Sequence, residues 1–168
     1  MIPDPCTTVA FTGHRTYCGE ASAALTAAIC GLHAHGFRTF LCGMAVGFDL
    51  AAAEAVLELR DSLPGLRLVA VVPFGGQEAR FSNADRVRYR AAMASADDAV
   101  VLSSVYHAGC YAVRNNYLVD HASLLVAWYD GLPGGTRHTV FRALRRGLEF
   151  VNLHPQRAGV ALTEPTLF

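Results

Sequence analysis

The chain contains no lysine. All 14 of its basic residues are arginine, so a lysine-dependent phosphate loop, a Schiff-base lysine and a lysine general base are excluded together. A genome rich in G and C favours arginine and alanine codons and suffices to explain the bias; the exclusion holds regardless. Net charge is lacking too, because 14 acidic side chains offset the 14 basic ones. No overall field attracts a nucleic-acid backbone or an anionic membrane, and a DNA-binding role would need a local patch. The cysteines, Cys6, Cys18, Cys30, Cys42 and Cys110, form no C-x-x-C pair and no zinc-type spacing with histidine, so no metal site is expected. Their odd number suits reduced, mostly buried thiols. No apolar run approaches membrane-spanning length, and Met1-Ile2-Pro3-Asp4-Pro5 shows no basic stretch followed by an apolar one. A soluble, cytoplasmic protein with no membrane partner is the expectation. A G-x-G-x-x-G fingerprint is also missing, which disfavours an ordinary dinucleotide site.

What is present is a regular alternation of short apolar runs and longer helix-period segments, the pattern of an α/β protein. At 168 residues and 52% hydrophobic content the chain suits one well-cored domain. The runs Thr8–Thr12, Thr39–Cys42, Leu66–Pro73, Ala99–Leu102, Ser123–Tyr129 and Glu149–Leu153 are continuous rather than alternating, as parallel strands covered on both faces should be. Helices are predicted over Ser22–His35, Asp49–Leu59, Asp85–Ala96, Tyr111–His121 and Thr136–Arg146, with Gly36 and Gly147 placed as C-terminal caps. The expected architecture is a Rossmann-like, doubly wound three-layer sandwich around a mostly parallel sheet of about six strands. A single domain over residues 1–153 is followed by an irregular tail, 154–168, that is either loosely packed or an arm toward a second copy.

Three glycine-bearing turns each follow the carboxyl end of a predicted strand, where a doubly wound sheet binds its ligand. Gly13-His14-Arg15 offers a tight turn and a guanidinium for phosphate oxygens. Gly43-Met44-Ala45-Val46-Gly47-Phe48-Asp49 allows close backbone approach, while Asp49 is placed to cap the next helix, to hold a ribose hydroxyl or to orient Arg15. Gly134-Gly135-Thr136 opens a helix whose unpaired N–H groups and positive dipole end suit an anion. Gln77, after the third strand, is a further candidate contact. Arg114 has bidentate contact with phosphate or ribose as its functional role and a structural salt bridge as the alternative. Tyr106 has base stacking set against packing over the pocket rim. Asp49, Glu54 and Asp120 are the carboxylates available for any general acid or base work.

In this order, the turns Gly13-His14-Arg15 and Gly43 to Glu54, Pro73-Phe74 with Gln77, Arg114 to Asp120, and Gly134-Gly135-Thr136 resemble the SLOG superfamily. This is the Rossmann-like group that includes the DNA-processing protein DprA and the LOG phosphoribohydrolases, and within it the YpsA-like proteins are the nearest in pattern. The resemblance covers roughly residues 8–153. It implies a pocket for a nucleotide or nucleotide-derived ligand, with Gly134, Gly135 and Thr136 at phosphate and Arg114 where LOG enzymes use an arginine. LOG enzymes carry P-G-G-x-G-T-x-x-E, whose glutamate supports N-glycosidic cleavage; here the motif is shortened and Thr139 stands third after Thr136. Ligand binding, as a sensor or component of nucleotide signalling, is therefore the first expectation. An N-glycosidase acting on a nucleoside monophosphate is the second and single-stranded DNA binding the third. No cofactor is required, Mg²⁺ enters only with a phosphate ligand, and a homo-oligomer is expected by analogy.

Overall fold

The computed structural model describes residues 3–155. Most of the expected irregular tail, residues 156–168, lies outside them. Six strands form one sheet: β1 (Thr8–Gly13), β2 (Thr39–Cys42), β3 (Arg67–Val72), β4 (Asp98–Val101), β5 (Leu124–Trp128) and β6 (Glu149–Asn152). Between them run five helices: α1 (Ser22–Ala34), α2 (Phe48–Leu59), α3 (Asn83–Ser95), α4 (Cys110–Asp120) and α5 (Gly135–Arg145). Two short 3-10 helices, Pro5–Thr7 and Gln77–Arg80, complete the described chain.

All six strands are parallel, in the order β4-β3-β2-β1-β5-β6. The sheet is thus wholly parallel where a mostly parallel one was expected. Side chains on a strand alternate between faces, and here both faces are buried. Val9 and Phe11 of β1, Phe40 of β2, Leu68 of β3 and Val126 of β5 pack on one side against Leu25 and Ile29 of α1, Val56 of α2 and Tyr89 of α3. Ala10, Leu41, Val69 and Leu125 face the other way, against Leu118 and Val119 of α4 and Val140 and Ala143 of α5. This double burial is why the strands are continuous apolar runs in the sequence.

After β4 at one edge, α4 carries the chain back across the sheet to β5, which pairs with β1. Strand order therefore reverses between β1 and β5. The carboxyl ends of adjacent parallel strands diverge at such a switch point and leave a crevice. The turns after β1 and β2 and the starts of α4 and α5 all meet it.

Candidate functional site

A cavity of about 300 Å³ occupies the switch point, lined among others by Gly13, His14, Arg15, Ala45, Asp49, Tyr111, Arg114, Asn115, Gly135 and Thr136. The three glycine turns thus converge as their placement after strands predicts. Seven residues proposed from sequence share this one space: Gly13, His14, Arg15, Asp49, Arg114, Gly135 and Thr136.

Arg114 and Asp49 form its floor, 6% and 5% exposed. The Arg114 guanidinium donates from Nη1 to the Gly43 carbonyl and from Nε to Asn115 Oδ1 at 2.7 Å. Asp49 Oδ2 accepts from the Ala45 backbone N–H at 3.3 Å, and its Oδ1 is buried without a hydrogen-bond partner among the described residues. Asp49 does not cap α2: the cap position is Gly47, with φ of +82°, and the carboxylate reaches back to the preceding loop instead. Burial pushes the Asp49 carboxyl up to about 6, opposed by Arg114, the Ala45 N–H and Arg15, all of which favour its charged form. Burial likewise lowers the Arg114 guanidinium, with Asp49 opposing that shift.

The α5 start supplies the opposite wall. Its cap residue, Gly134, adopts φ of +144° and no side chain caps the helix, so the first N–H groups are left to a guest. A Cβ built on Gly135 meets only Asn115 Nδ2, at 3.9 Å. Thr139, standing where the LOG pattern has its glutamate, is fully buried and donates from Oγ1 to the Gly135 carbonyl at 3.0 Å. It braces the turn from inside and does not face the cavity.

His14 Nε2 lies 2.8 Å from Asp130 Oδ1 and 3.2 Å from the Asp130 backbone nitrogen. Nε2 donates to the carboxylate in the tautomer that carries its proton there and accepts from the Asp130 N–H in the other, so either form keeps a hydrogen bond to Asp130. This pair ties the β1 turn to the loop after β5, directly across the switch point.

The remaining ligand-contact candidates act behind the cavity or beside it. Gly43 must be glycine because a Cβ there would strike the Arg114 guanidinium and lie 2.9 Å from Asp49 Oδ2. Gly47 is held against the Arg15 backbone, whose carbonyl oxygen would be 2.6 Å from an added Cβ. Met44 is fully buried with φ of +59°, and its carbonyl accepts from Gln77 Nε2 at 3.2 Å. Gln77 thereby holds the β2 turn and lines a neighbouring cavity. Gly134 sits just outside the lining.

Two of the three candidate carboxylates are placed elsewhere. Glu54 pairs with Arg88 through two contacts of 2.7 and 2.8 Å. Asp120, at the far end of α4, accepts from Arg142 at 2.9 and 3.1 Å. Helix geometry is the reason: Glu54 is more than one turn past Asp49, and Asp120 is at the opposite end of α4 from Tyr111. Asp49 alone of the three meets the cavity. Conversely, Tyr111, Asn115 and Leu118 line it without having been proposed. With Arg114 they follow the i, i+3, i+4, i+7 spacing of one helical face, a signal the sequence does contain.

Among the described residues no group of three His, Cys, Asp or Glu side chains is arranged to hold a metal, and no helix is long and apolar enough to cross a membrane.

Comparison with known proteins agrees with this architecture. The chain is 27% identical over 130 residues to the uncharacterized SPbeta prophage-derived protein YoqJ of Bacillus subtilis, covering 69% of this chain and 76% of that one. It is 29% identical over 114 residues to a UPF0398 protein of Halalkalibacterium halodurans, covering 66% of this chain but only 60% of that protein's length. Its fold matches DNA processing protein A (DprA) of Streptococcus pneumoniae with a TM-score of 0.64 at 20% identity, over 86% of this chain and 49% of DprA. The profile of the YspA SLOG family (YpsA) matches residues 10–147, and with the parallel sheet and switch-point cavity this makes the chain a member of that family.

Proposed function

We propose that this protein binds a nucleotide or nucleotide-derived ligand by its phosphate in the switch-point cavity, as a sensor or component of nucleotide signalling. The observation that carries the reading is the convergence of the uncapped start of α5 with Arg15, Arg114 and Thr136 on one cavity of about 300 Å³. That volume is at the lower end of small-ligand pockets, roughly 300–1,000 Å³. Unpaired helix N–H groups and a positive dipole end suit a phosphate, and a guanidinium adds charge-assisted contact with its oxygens. The unpartnered Asp49 Oδ1 is an acceptor for a ribose hydroxyl. No resident cofactor is part of this reading, and Mg²⁺ would arrive only with a diphosphate.

One observation supports a second reading, N-glycosidic hydrolysis of a nucleoside monophosphate. Asp49 is a buried carboxyl held near 6 within the same cavity, suited to proton transfer near neutral pH. Against it stands Thr139, a buried hydroxyl where LOG enzymes carry a glutamate.

The test is a thermal-shift screen with nucleoside mono- and diphosphates, ADP-ribose and NAD, each mixture then chromatographed for free base. A ligand at about a hundredfold over its Kd should add about 2.7 kcal/mol and be recovered intact. Gly135→Asp should abolish the shift by putting a carboxylate at the phosphate position. Its ligand-free melting should stay close to wild type, because the site has room for a Cβ and an acid suits a first helical turn. Free base that disappears in Asp49→Asn would establish hydrolysis instead. A response confined to single-stranded oligonucleotides and steep in salt would replace both readings with DNA binding.

A further inference from the structure

Arg15 lines two cavities besides the one at the switch point, of about 540 and 350 Å³, and the smaller of them is rich in aromatic side chains. This second cavity adjoins the first, is lined among others by Gln77, Arg80, Ser82, Asp85 and Tyr106, and shares Arg15, Ala45 and Tyr111 with it. The two are therefore neighbours across a wall made of Arg15, Ala45 and Tyr111. Arg15 lies over the Tyr111 ring, 5.6 Å from its centroid, and its own side chain is exposed, so its guanidinium can serve an anion on either side.

The second cavity is built differently from the first. Phe74 packs edge-on against both Tyr106 and Tyr111, with centroids 5.4 and 5.9 Å away. Tyr106 is nevertheless 54% exposed, and Arg80 lies over its ring at 5.8 Å. A half-exposed aromatic ring beside a cavity, braced by a second ring and covered only by an exposed arginine, is a stacking platform for another planar ring. Asp85, the acidic residue in this lining, is engaged by Ser82 Oγ at 3.0 Å and by Arg88 at 3.2 Å. Arg15 and Arg80 are left to set the sign of the field.

We propose that the second cavity is a subsite for the distal ring of an extended ligand in which two nucleosides are joined through a diphosphate. One phosphate lies at the α5 start, the next at Arg15, and the second base stacks on Tyr106, with the exposed Arg80 side chain moving off the ring to cover the base. This rests on the phosphate-binding reading above and narrows it: the preferred ligand is a dinucleotide joined 5′ to 5′, and a mononucleotide fills only half of the site. The absence of a G-x-G-x-x-G loop is no obstacle, because here the diphosphate is met by a helix start and arginine side chains rather than by a glycine loop.

Isothermal titration of the full chain with AMP, ADP, ADP-ribose, diadenosine diphosphate and a 3′,5′-linked diadenosine, and with the guanosine counterparts, tests this. In the favoured base series the dinucleotide should bind about tenfold or more tightly than the ADP-ribose-type ligand, which has the same diphosphate but no second base. Tyr106→Ala should erase that margin and Arg80→Ala reduce it. Both variants should leave mononucleotide affinity within about twofold, and Tyr106→Phe should retain the margin. Equal affinities, or a margin that survives Tyr106→Ala, would overturn the subsite while leaving the phosphate reading intact. Loss of binding by every ligand in the wild-type protein would remove both. Tighter binding of a 3′,5′-linked dinucleotide than of the diphosphate-linked one would assign the subsite to a nucleic-acid strand and overturn the proposal.

Discussion

Asp49 illustrates how a single residue is shaped by its setting. Its backbone lies in the first turn of α2, its Oδ2 takes the Ala45 N–H, and its Oδ1 has no hydrogen-bond partner among the described residues. A carboxyl whose folded pKa of about 6 exceeds its ordinary 3.8 binds its proton more tightly in the folded state. It therefore contributes stability that is fully present below about pH 4 and lost as pH rises toward and through 6. The swing is on the order of 3 kcal/mol. Urea melts of wild type and Asp49→Asn across pH 3.5–7.5 should differ in slope in that window, the wild type losing stability with rising pH relative to the variant. Parallel curves would mean that Arg114 already holds Asp49 at an ordinary carboxylate value. Gly13 is a second residue with a packing role: a Cβ there would collide with the Phe48 ring. Gly13→Ala should cost about 1–3 kcal/mol by overpacking, measurable as a lower urea midpoint at unchanged m-value.

At the scale of elements, the apolar runs and their helix-period partners were legible because hydrophobic periodicity and double burial leave a direct trace. β2 matches its predicted span, Thr39–Cys42, and the other strand boundaries fall within one residue. The apolar period places the start of α3 two residues late, at Asp85, because the true signal is a side-chain cap. Ser82 Oγ accepts from the Asp85 N–H at 3.1 Å and so fixes the helix start at Asn83. Ser82→Ala should cost about 0.5–2 kcal/mol in chemical denaturation. The 3-10 turn Gln77–Arg80 left no comparable trace. It is held by tertiary contacts, Gln77 to the Met44 carbonyl and the Arg86 guanidinium to the carbonyls of Glu78, Ala79 and Phe81.

For the whole molecule, the cavity is where the two helical layers meet. Asp49 comes from the layer of α1, α2 and α3, whereas Arg114 and Thr136 come from α4 and α5 on the other face. A phosphate ligand bound there crosslinks both layers. Hydrogen exchange with saturating ligand should therefore slow at the first turn of α5 and in the 43–47 loop together, with little change at the α1 C-terminal end, which lies far from the strands' carboxyl ends. Protection at one of those segments alone would mean that the ligand sits to one side of the switch point.

The sequence by itself determined the elements, their order, the parallel character of the sheet and the three turns at its carboxyl edge. Each of these depends on local backbone chemistry or on a periodicity that neighbouring residues carry. Only the tertiary structure decided which side chains share the site. Glu54 and Asp120 are as acidic as Asp49 in the sequence, yet pairing with Arg88 and Arg142 removes them, and the fold brings Asp49 to Arg114 from 65 positions away in the sequence. Such proximity is set by strand order and helix orientation, long-range properties that a local pattern along the chain does not encode.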